Sequence, residues 1–294
     1  MFDFLKYRYV CLIVSTTLLL SVFGFFIYKV QTREQAFNYS VEFQGGSQVL
    51  LKFQKPVSSA TVLSVLQKRG FPGAVTRDFA EDEVMVRVKE YSRNVQALAD
   101  KIIGIIKEDI PENQVSLLQS DAIGPGIGSE LRWKSIRAVL IALILMLLYI
   151  AFRFWSFAFA LGSVAALLHD AVMMLGLFLI FNREISISVI GAILAVLGYS
   201  INDTIVIFSR IRSNTKAMSG APIIEIVNAS LNQTLKRTLL TSFSTLLCVG
   251  AMFFLGGEVL RDFSLALMVG VFFGTYSSIY IASPVMIMLH KQKE

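Results

Sequence analysis

The sequence predicts a polytopic α-helical membrane protein with six transmembrane helices and an α+β, ferredoxin-like extracytoplasmic domain between the first and second. Three observations predict it. Hydrophobic residues make up 55% of the 294-residue chain and charged residues only 16%, against about 25% charged in an ordinary soluble domain, and the mean hydropathy is +0.64. Six runs approach the roughly twenty apolar residues that a bilayer crossing needs. The long gap between the first and second runs carries strand and helix patterns instead.

The spans are expected at Tyr9–Tyr28, Trp133–Phe152, Phe157–Phe181, Ile185–Phe208, Arg237–Gly256 and Phe263–His290. The first run is followed by Lys29-Val30-Gln31-Thr32-Arg33 without a small-x-small cleavage site, so it reads as a retained signal anchor. The second is charge-free only over Ala138–Phe152, with Arg137 and Arg153 placed to snorkel to the two interfaces. Basic residues set the expected orientation. Lys6 and Arg8 precede the first span. Arg210, Arg212, Lys216 and Lys236 face a single acid, Glu225, in the stretch 209–236, and lysines follow in the tail 291–294. The opposite short loops hold Arg183 beside Glu184, and Arg261 beside Glu258 and Asp262. Both termini are therefore expected on the cytoplasmic side of the membrane.

The chain divides on this reading into residues 1–30, an extracytoplasmic domain at 31–131, and residues 132–294 with a cytoplasmic loop at 209–236. Within the domain, Ser47–Phe53 is strand-like, and Ser58 is placed to cap a helix running to Arg69 that Gly70 closes. Ala74–Phe79 and Val84–Lys89 read as strands, with Val84, Val86 and Val88 alternating onto one face. Val95, Leu98, Ile102 and Ile105 recur at helical spacing up to Pro111, and Val115 and Leu117 suit a last strand. The order β-α-β-β-α-β is the split-βαβ arrangement.

Several function classes find no support. Cys11 and Cys248 both lie in apolar runs without metal-ligand spacing, and His290 at the chain end is the only histidine besides His169, so no metal or cofactor is expected. No basic stretch interleaves with aromatics, which argues against nucleic acid. No Gly-x-Ser-x-Gly elbow accompanies the serines, which argues against an enzyme. Gly124-Pro125-Gly126-Ile127-Gly128 lacks the Gly-Lys-Ser/Thr ending of a phosphate loop and reads as a flexible joint before the second span.

The chemistry is expected inside the membrane. An ionisable residue at mid-bilayer costs at least ~2.5–3.5 kcal/mol and defaults to a functional hypothesis. Asp203, beside Asn202 in the fourth span, Asp170 after His169 in the third, and Arg237 at the start of the fifth meet that description. Thr234, Arg237, Thr238, Thr241, Thr245 and Cys248 recur at three- and four-residue steps and share one helix face. A carboxylate that takes up and releases a proton beside an arginine is the minimal part of a proton relay, with Thr241 and Thr245 leading the proton onward. A static ion pair, or an arginine touching headgroups, is the plainer alternative. For His169-Asp170 it is a hydrogen bond to a neighbouring helix.

Five stretches carry a resemblance: Val41-Glu42-Phe43-Gln44-Gly45-Gly46; Ile123-Gly124-Pro125 through Glu130-Leu131; Leu168-His169-Asp170; Gly198-Tyr199-Ser200-Ile201-Asn202-Asp203-Thr204 continuing to Arg212; and Asn228-x-Ser230-Leu231-Asn232-Gln233-Thr234-Leu235-x-Arg237-Thr238. In these the chain resembles the SecD/SecF family of the bacterial protein-export apparatus. Glu42 stands where the family has Asp, and Ser209 where Asp is common. The resemblance implies a resistance-nodulation-division type of architecture and six spans matched by a SecD half. It also implies work beside the SecYEG translocon on translocating preproteins, driven by the proton gradient, and places Asp203 and Arg237 on the family's proton pathway. A half-transporter of the same superfamily, exporting a small molecule or lipid, and a passive scaffold are the competing readings. An acid-to-amide change at Asp203 separates the scaffold from the other two.

Overall fold

The computed structural model describes residues 2–32, 36–92 and 94–290. Arg33 and the basic tail 291–294 lie outside the described residues. The rest falls into two compact units, one drawn from Met1–Asn38 and Arg137–Glu294 and the other spanning Tyr39–Ile136.

A short strand, β1 (Asn38–Tyr39), spans the boundary between the units, and the second unit continues with one turn of helix, α2 (Val41–Gln44). Strand β2 (Gly46–Phe53) follows, then α3 (Ser59–Lys68), β3 (Val75–Ala80), β4 (Glu83–Val88), α4 (Val95–Asp109) and β5 (Val115–Ile123). The last four strands form an antiparallel sheet in the order β3-β4-β2-β5. That order, with two helices on one face, is the ferredoxin-like arrangement the pattern predicts. Ser58 caps α3 as expected, its side chain accepting from Ala60 N, and Asn94 caps α4 by accepting from Ala97 N. The core lies between sheet and helices, where Val49, Leu51, Phe53, Val84, Val86 and Val88 meet Val62, Leu66, Leu98, Ile102 and Ile106. The inward strand residues sit two apart and the helix residues three or four apart, so the two periodicities of the sequence converge on one buried layer.

Two glycines set the entry to this sheet. Gly45 sits at φ 76, ψ 175 and Gly46 at φ 113, conformations that side chains other than hydrogen rarely adopt. A Cβ on Gly46 would stand 2.5 Å from the Val88 carbonyl oxygen. The start of α5 (Pro125–Phe154) presses on the same turn, since a Cβ on Gly128 would lie 2.9 Å from Gly45 N. The segment expected as a flexible joint is thus a helix start, with Gly128 N donating to Gly124 O. Gly128 there permits a close backbone approach.

Six helical segments are long and apolar enough to cross a membrane: Phe4–Thr32, Gly126–Phe154, Phe157–Ile180, Ile187–Ala217, Ile223–Leu255 and Leu260–Leu289. The chain is a multi-pass membrane protein. The first segment joins a turn of 3-10 helix at Phe4–Tyr7 to α1 (Arg8–Thr32). Next come α6 (Phe157–Ile180), a two-residue strand β6 (Glu184–Ile185), α7 (Ile187–Ala217) and α8 (Ile223–Leu255). The last span joins α9 (Gly257–Ser277) through a π-helical turn at Ser278–Ala282 to α10 (Ser283–Leu289). The expected loop at 209–236 is helical except at 218–222, because α7 runs on and α8 starts at Ile223, well before Arg237.

Small residues bring the spans together. A Cβ on Gly162 would meet Ala282 O at 2.6 Å, one on Gly176 would meet Val22 Cγ2 at 2.6 Å, and one on Gly270 would meet Val196 Cγ2 at 2.4 Å. This is the small-residue packing that membrane helices use where no water drives them together.

Candidate functional site

The inward face of α7 repeats at three- and four-residue steps: Val189, Ile193, Val196, Ser200, Asp203, Thr204, Ile207 and Ile211 are all buried. Two residues of that face carry polar chemistry to different neighbours. Ser200 turns toward α6 and α9, and Asp203 toward α8.

On the first side lies Asp170, fully buried. Its Oδ2 accepts from Ser200 Oγ at 2.7 Å and from Ser277 Oγ at 2.9 Å, while His169 Nδ1 lies 3.2 Å from Oδ1. Three side chains, from α6, α7 and α9, thereby meet at one carboxylate. Gly274 makes room for it, since a Cβ there would stand 3.0 Å from Ser200 Cβ. One turn along, Thr204 Oγ1 and Ser278 Oγ lie 3.1 Å apart. The His169 ring packs near Phe273 and Tyr276.

On the second side Asp203 is buried, and its Oδ2 has no hydrogen-bond partner. Arg237 acts on the carboxylate through space rather than in ion-pair contact, and its side chain is exposed. Thr238 also lies within interaction range of the carboxylate. Its Oγ1 nonetheless completes no hydrogen bond of ordinary geometry. Asn202 points away and is exposed. Thr241 Oγ1 donates to Arg237 O at 3.0 Å, and Thr245 Oγ1 to Thr241 O at 2.9 Å. Tyr199 OH lies 3.4 Å from both Thr245 Oγ1 and Ser242 Oγ, and Ser242 Oγ meets Thr275 Oγ1 at 2.7 Å, so a line of hydroxyls crosses α8, α7 and α9.

The remaining motif residues serve the frame. Gln233 Oε1 accepts from Arg210 Nε at 2.6 Å and from Asn214 Nδ2 at 2.8 Å, and Asn214 Nδ2 also donates to Ser230 Oγ at 2.9 Å. These bonds clasp α7 to α8. Asn232 Oδ1 accepts from Phe2 N and Asn228 Oδ1 from Phe4 N, each at 2.9 Å, which ties the start of the chain to α8. Gly198 has open space around it. Gly45 and Gly46 belong to the other unit, where they form the sheet entry. Among the described residues no group of three or more His, Cys, Asp or Glu side chains is placed to hold a metal ion.

Ser277, Thr275 and Asn214 are not singled out by the sequence reading. The repeat Gly270, Gly274, Ser277, Ser278 in the last span is the one signal that points to the first two, as a small-residue face able to approach Asp170.

Residues 105–292 match the family described as protein export membrane protein SecD/SecF, C-terminal. Residues 35–57 match the SecD/SecF GG motif, which contains the Gly45-Gly46 turn. The protein translocase subunit SecF of Thermodesulfovibrio yellowstonii is 38% identical over 293 residues, 98% of this chain and 95% of that one. The SecF of Vibrio alginolyticus is 39% identical over 259 residues, covering 87% and 82%. The SecDF of Thermus thermophilus is 42% identical over 255 residues, which cover 86% of this chain but 34% of that longer protein. The crystal structure of the Thermus SecDF superposes with a TM-score of 0.86 at 38% identity, over 98% of this chain and 38% of that one. The chain belongs to the SecD/SecF family of protein export membrane proteins.

Proposed function

We propose that the chain is an accessory subunit of the protein translocase that uses the proton gradient to promote export of preproteins across the bacterial plasma membrane, with Asp203 as the proton-carrying carboxylate. One observation carries the mechanistic part: a buried carboxylate in a membrane-spanning helix has an unpaired oxygen and a guanidinium of the next helix acting on it through space. A salt bridge closed at both ends would hold one state. An acid with a movable arginine nearby has two, because bringing a cation close favours the ionised form and withdrawing it in a dry site favours the neutral one. Arg237 keeps its own proton throughout, so its part is electrostatic. Tyr199, Thr245 and Ser242 supply hydroxyls on the way to α9.

The remaining parts of the proposal follow from the relatives and the charge pattern. A SecD half is the natural partner, since the Thermus relative joins both names in one chain. Ser188, Gly191, Ala195 and Asn202 on α7 and Thr241, Ser244 and Cys248 on α8 are exposed small or polar residues where such a half would pack. The SecYEG translocon and the exported chains are the further partners. The basic residues before α1 and around the α7–α8 connection support a cytoplasmic position for those ends.

The test is Asp203→Asn, which keeps shape but removes titration. It is expected to abolish gradient-dependent export while the protein stays inserted and assembled. Asp170→Asn serves as the comparison, since an amide keeps the acceptor that Ser200 and Ser277 use. Wild-type export by Asp203→Asn under a measured gradient, with export lost in Asp170→Asn, would show that the other carboxylate is the carrier. Wild-type export by both would favour the scaffold.

A further inference from the structure

Hydroxyl side chains within α8 and around it show a pattern that singles out one of them. Ser230 Oγ donates to Ile226 O at 2.7 Å, Thr234 Oγ1 to Ser230 O at 2.9 Å, Thr241 Oγ1 to Arg237 O at 3.0 Å and Thr245 Oγ1 to Thr241 O at 2.9 Å. Each returns its hydrogen to the carbonyl one turn back, the usual way for such a residue to satisfy itself inside a helix. Ser242 finds Thr275 across the interface. Thr238 does neither. It is 1% exposed, and its Oγ1 has no partner among the described residues, the carbonyl one turn back included. A buried hydroxyl without a partner costs about 1–3 kcal/mol, so its persistence here calls for a reason.

The reason lies opposite. Asp203 Oδ2 is the other unpartnered buried oxygen at this interface, and Thr238 lies within interaction range of that carboxylate. We propose that Thr238 is the hydrogen-bond partner of Asp203 in both of its protonation states, directly or through one water. This rests on the reading of Asp203 as the proton carrier and adds a residue to it. An ionised carboxylate only accepts hydrogen bonds, and a protonated one also donates. A guanidinium only donates, so Arg237 cannot accept the O–H of the protonated form. A hydroxyl does both and reverses by rotation about one bond. Thr241 and Thr245 already spend their hydrogens on their own helix, whereas the Thr238 hydrogen is uncommitted.

The test compares Thr238→Val, which keeps the β-branched shape and removes the hydroxyl, with Thr238→Ser, which keeps the hydroxyl. The full chain in lipid vesicles is titrated while the infrared carbonyl band of a protonated carboxyl is followed, with Asp203→Asn assigning the band. Thr238→Val is expected to move the Asp203 band to higher frequency, as losing a hydrogen bond does, and to lower gradient-dependent export about tenfold. Its melting temperature is expected to stay at or above wild type, since the deleted hydroxyl satisfies nothing in the fold. Thr238→Ser is expected to restore both band and export. An unmoved band with wild-type export in Thr238→Val would overturn the proposal. So would a lowered melting temperature, which would make the hydroxyl structural, or a failure of serine to restore the band. If no band assigned to Asp203 exists in the wild type at any pH, the carrier reading fails instead.

Discussion

Replacing Gly46 with alanine tests whether the double glycine holds the α+β domain together through backbone geometry. Two costs add. At φ 113 a non-glycine residue pays about 1–3 kcal/mol of backbone strain. The new Cβ would also stand 2.5 Å from the Val88 carbonyl oxygen, a backbone atom of the strand neighbouring β2. It cannot swing aside, so the overpacking adds about 1–3 kcal/mol. The midpoint of the sum is about 4 kcal/mol, a factor of about a thousand in the opening equilibrium. Amide hydrogen exchange on the full chain reads this directly, through the peptides that cover β2 and β4. Three other glycines calibrate it. Gly70 has φ 101 but nothing within 4 Å, so Gly70→Ala carries only the strain, about 1–3 kcal/mol. Gly73 meets only the flexible end of Lys89 and has no unusual φ, so it is close to neutral. Gly104, inside α4 with open space around it, gains about 0.5–1 kcal/mol as alanine because helix propensity improves. Wild-type protection in Gly46→Ala, or a larger loss in Gly70→Ala, would refute the reasoning.

Val86 is completely buried between sheet and helices, so Val86→Asp places an unpaired charge in the core; a loss of about 3–5 kcal/mol is expected, read as a collapsed melting transition of the domain. Asn214→Leu removes the donor to both Ser230 and Gln233 and is expected to lower the stability of the α7–α8 clasp by about 1 kcal/mol, measured by thermal unfolding in detergent. With Cys11 and Cys248 replaced, a cysteine at Ser92 is expected to react with an impermeant reagent added outside intact cells and one at Ser219 to stay silent. The reverse pattern would invert the proposed topology.

The domain was readable from sequence because its two helices and its inner strands bury residues at clean periods. Val84, Val86 and Val88 alternate, and Leu98, Ile102 and Ile106 step by four. Helix extent was less readable. Asn228, Ser230, Asn232 and Gln233 look like loop polarity, yet they lie inside α8 because each finds a partner on α7 or at the start of the chain. Local composition cannot register a partner that is distant in sequence. Gly128 misled in the same way, since glycine's poor helix propensity was overridden by the close approach to Gly45 that only glycine allows. Asp203, Asp170 and Arg237 stood out because charge is rare in an apolar run. Ser277 did not, and Thr238 stood only as one hydroxyl of a stripe, since serine and threonine are common in membrane helices, and only packing shows which hydroxyls meet a carboxylate and which go unpaired.

The π-helical turn at Ser278–Ala282 makes the last span two helices in different registers. Such a turn holds one residue more than an α-helix would in the same length. Ser277 and Ser278 are aimed by the register before it, and Met286, which packs beside Gly162, by the register after it. Straightening this turn into α-helix at constant chain length would rotate everything beyond it by about 100°. Met286 would then leave Gly162 while the hydroxyls at Asp170 stayed in place. Deleting one residue between 278 and 282 at the same time would bring Met286 back, so the extra residue and the π-helical turn are matched to each other.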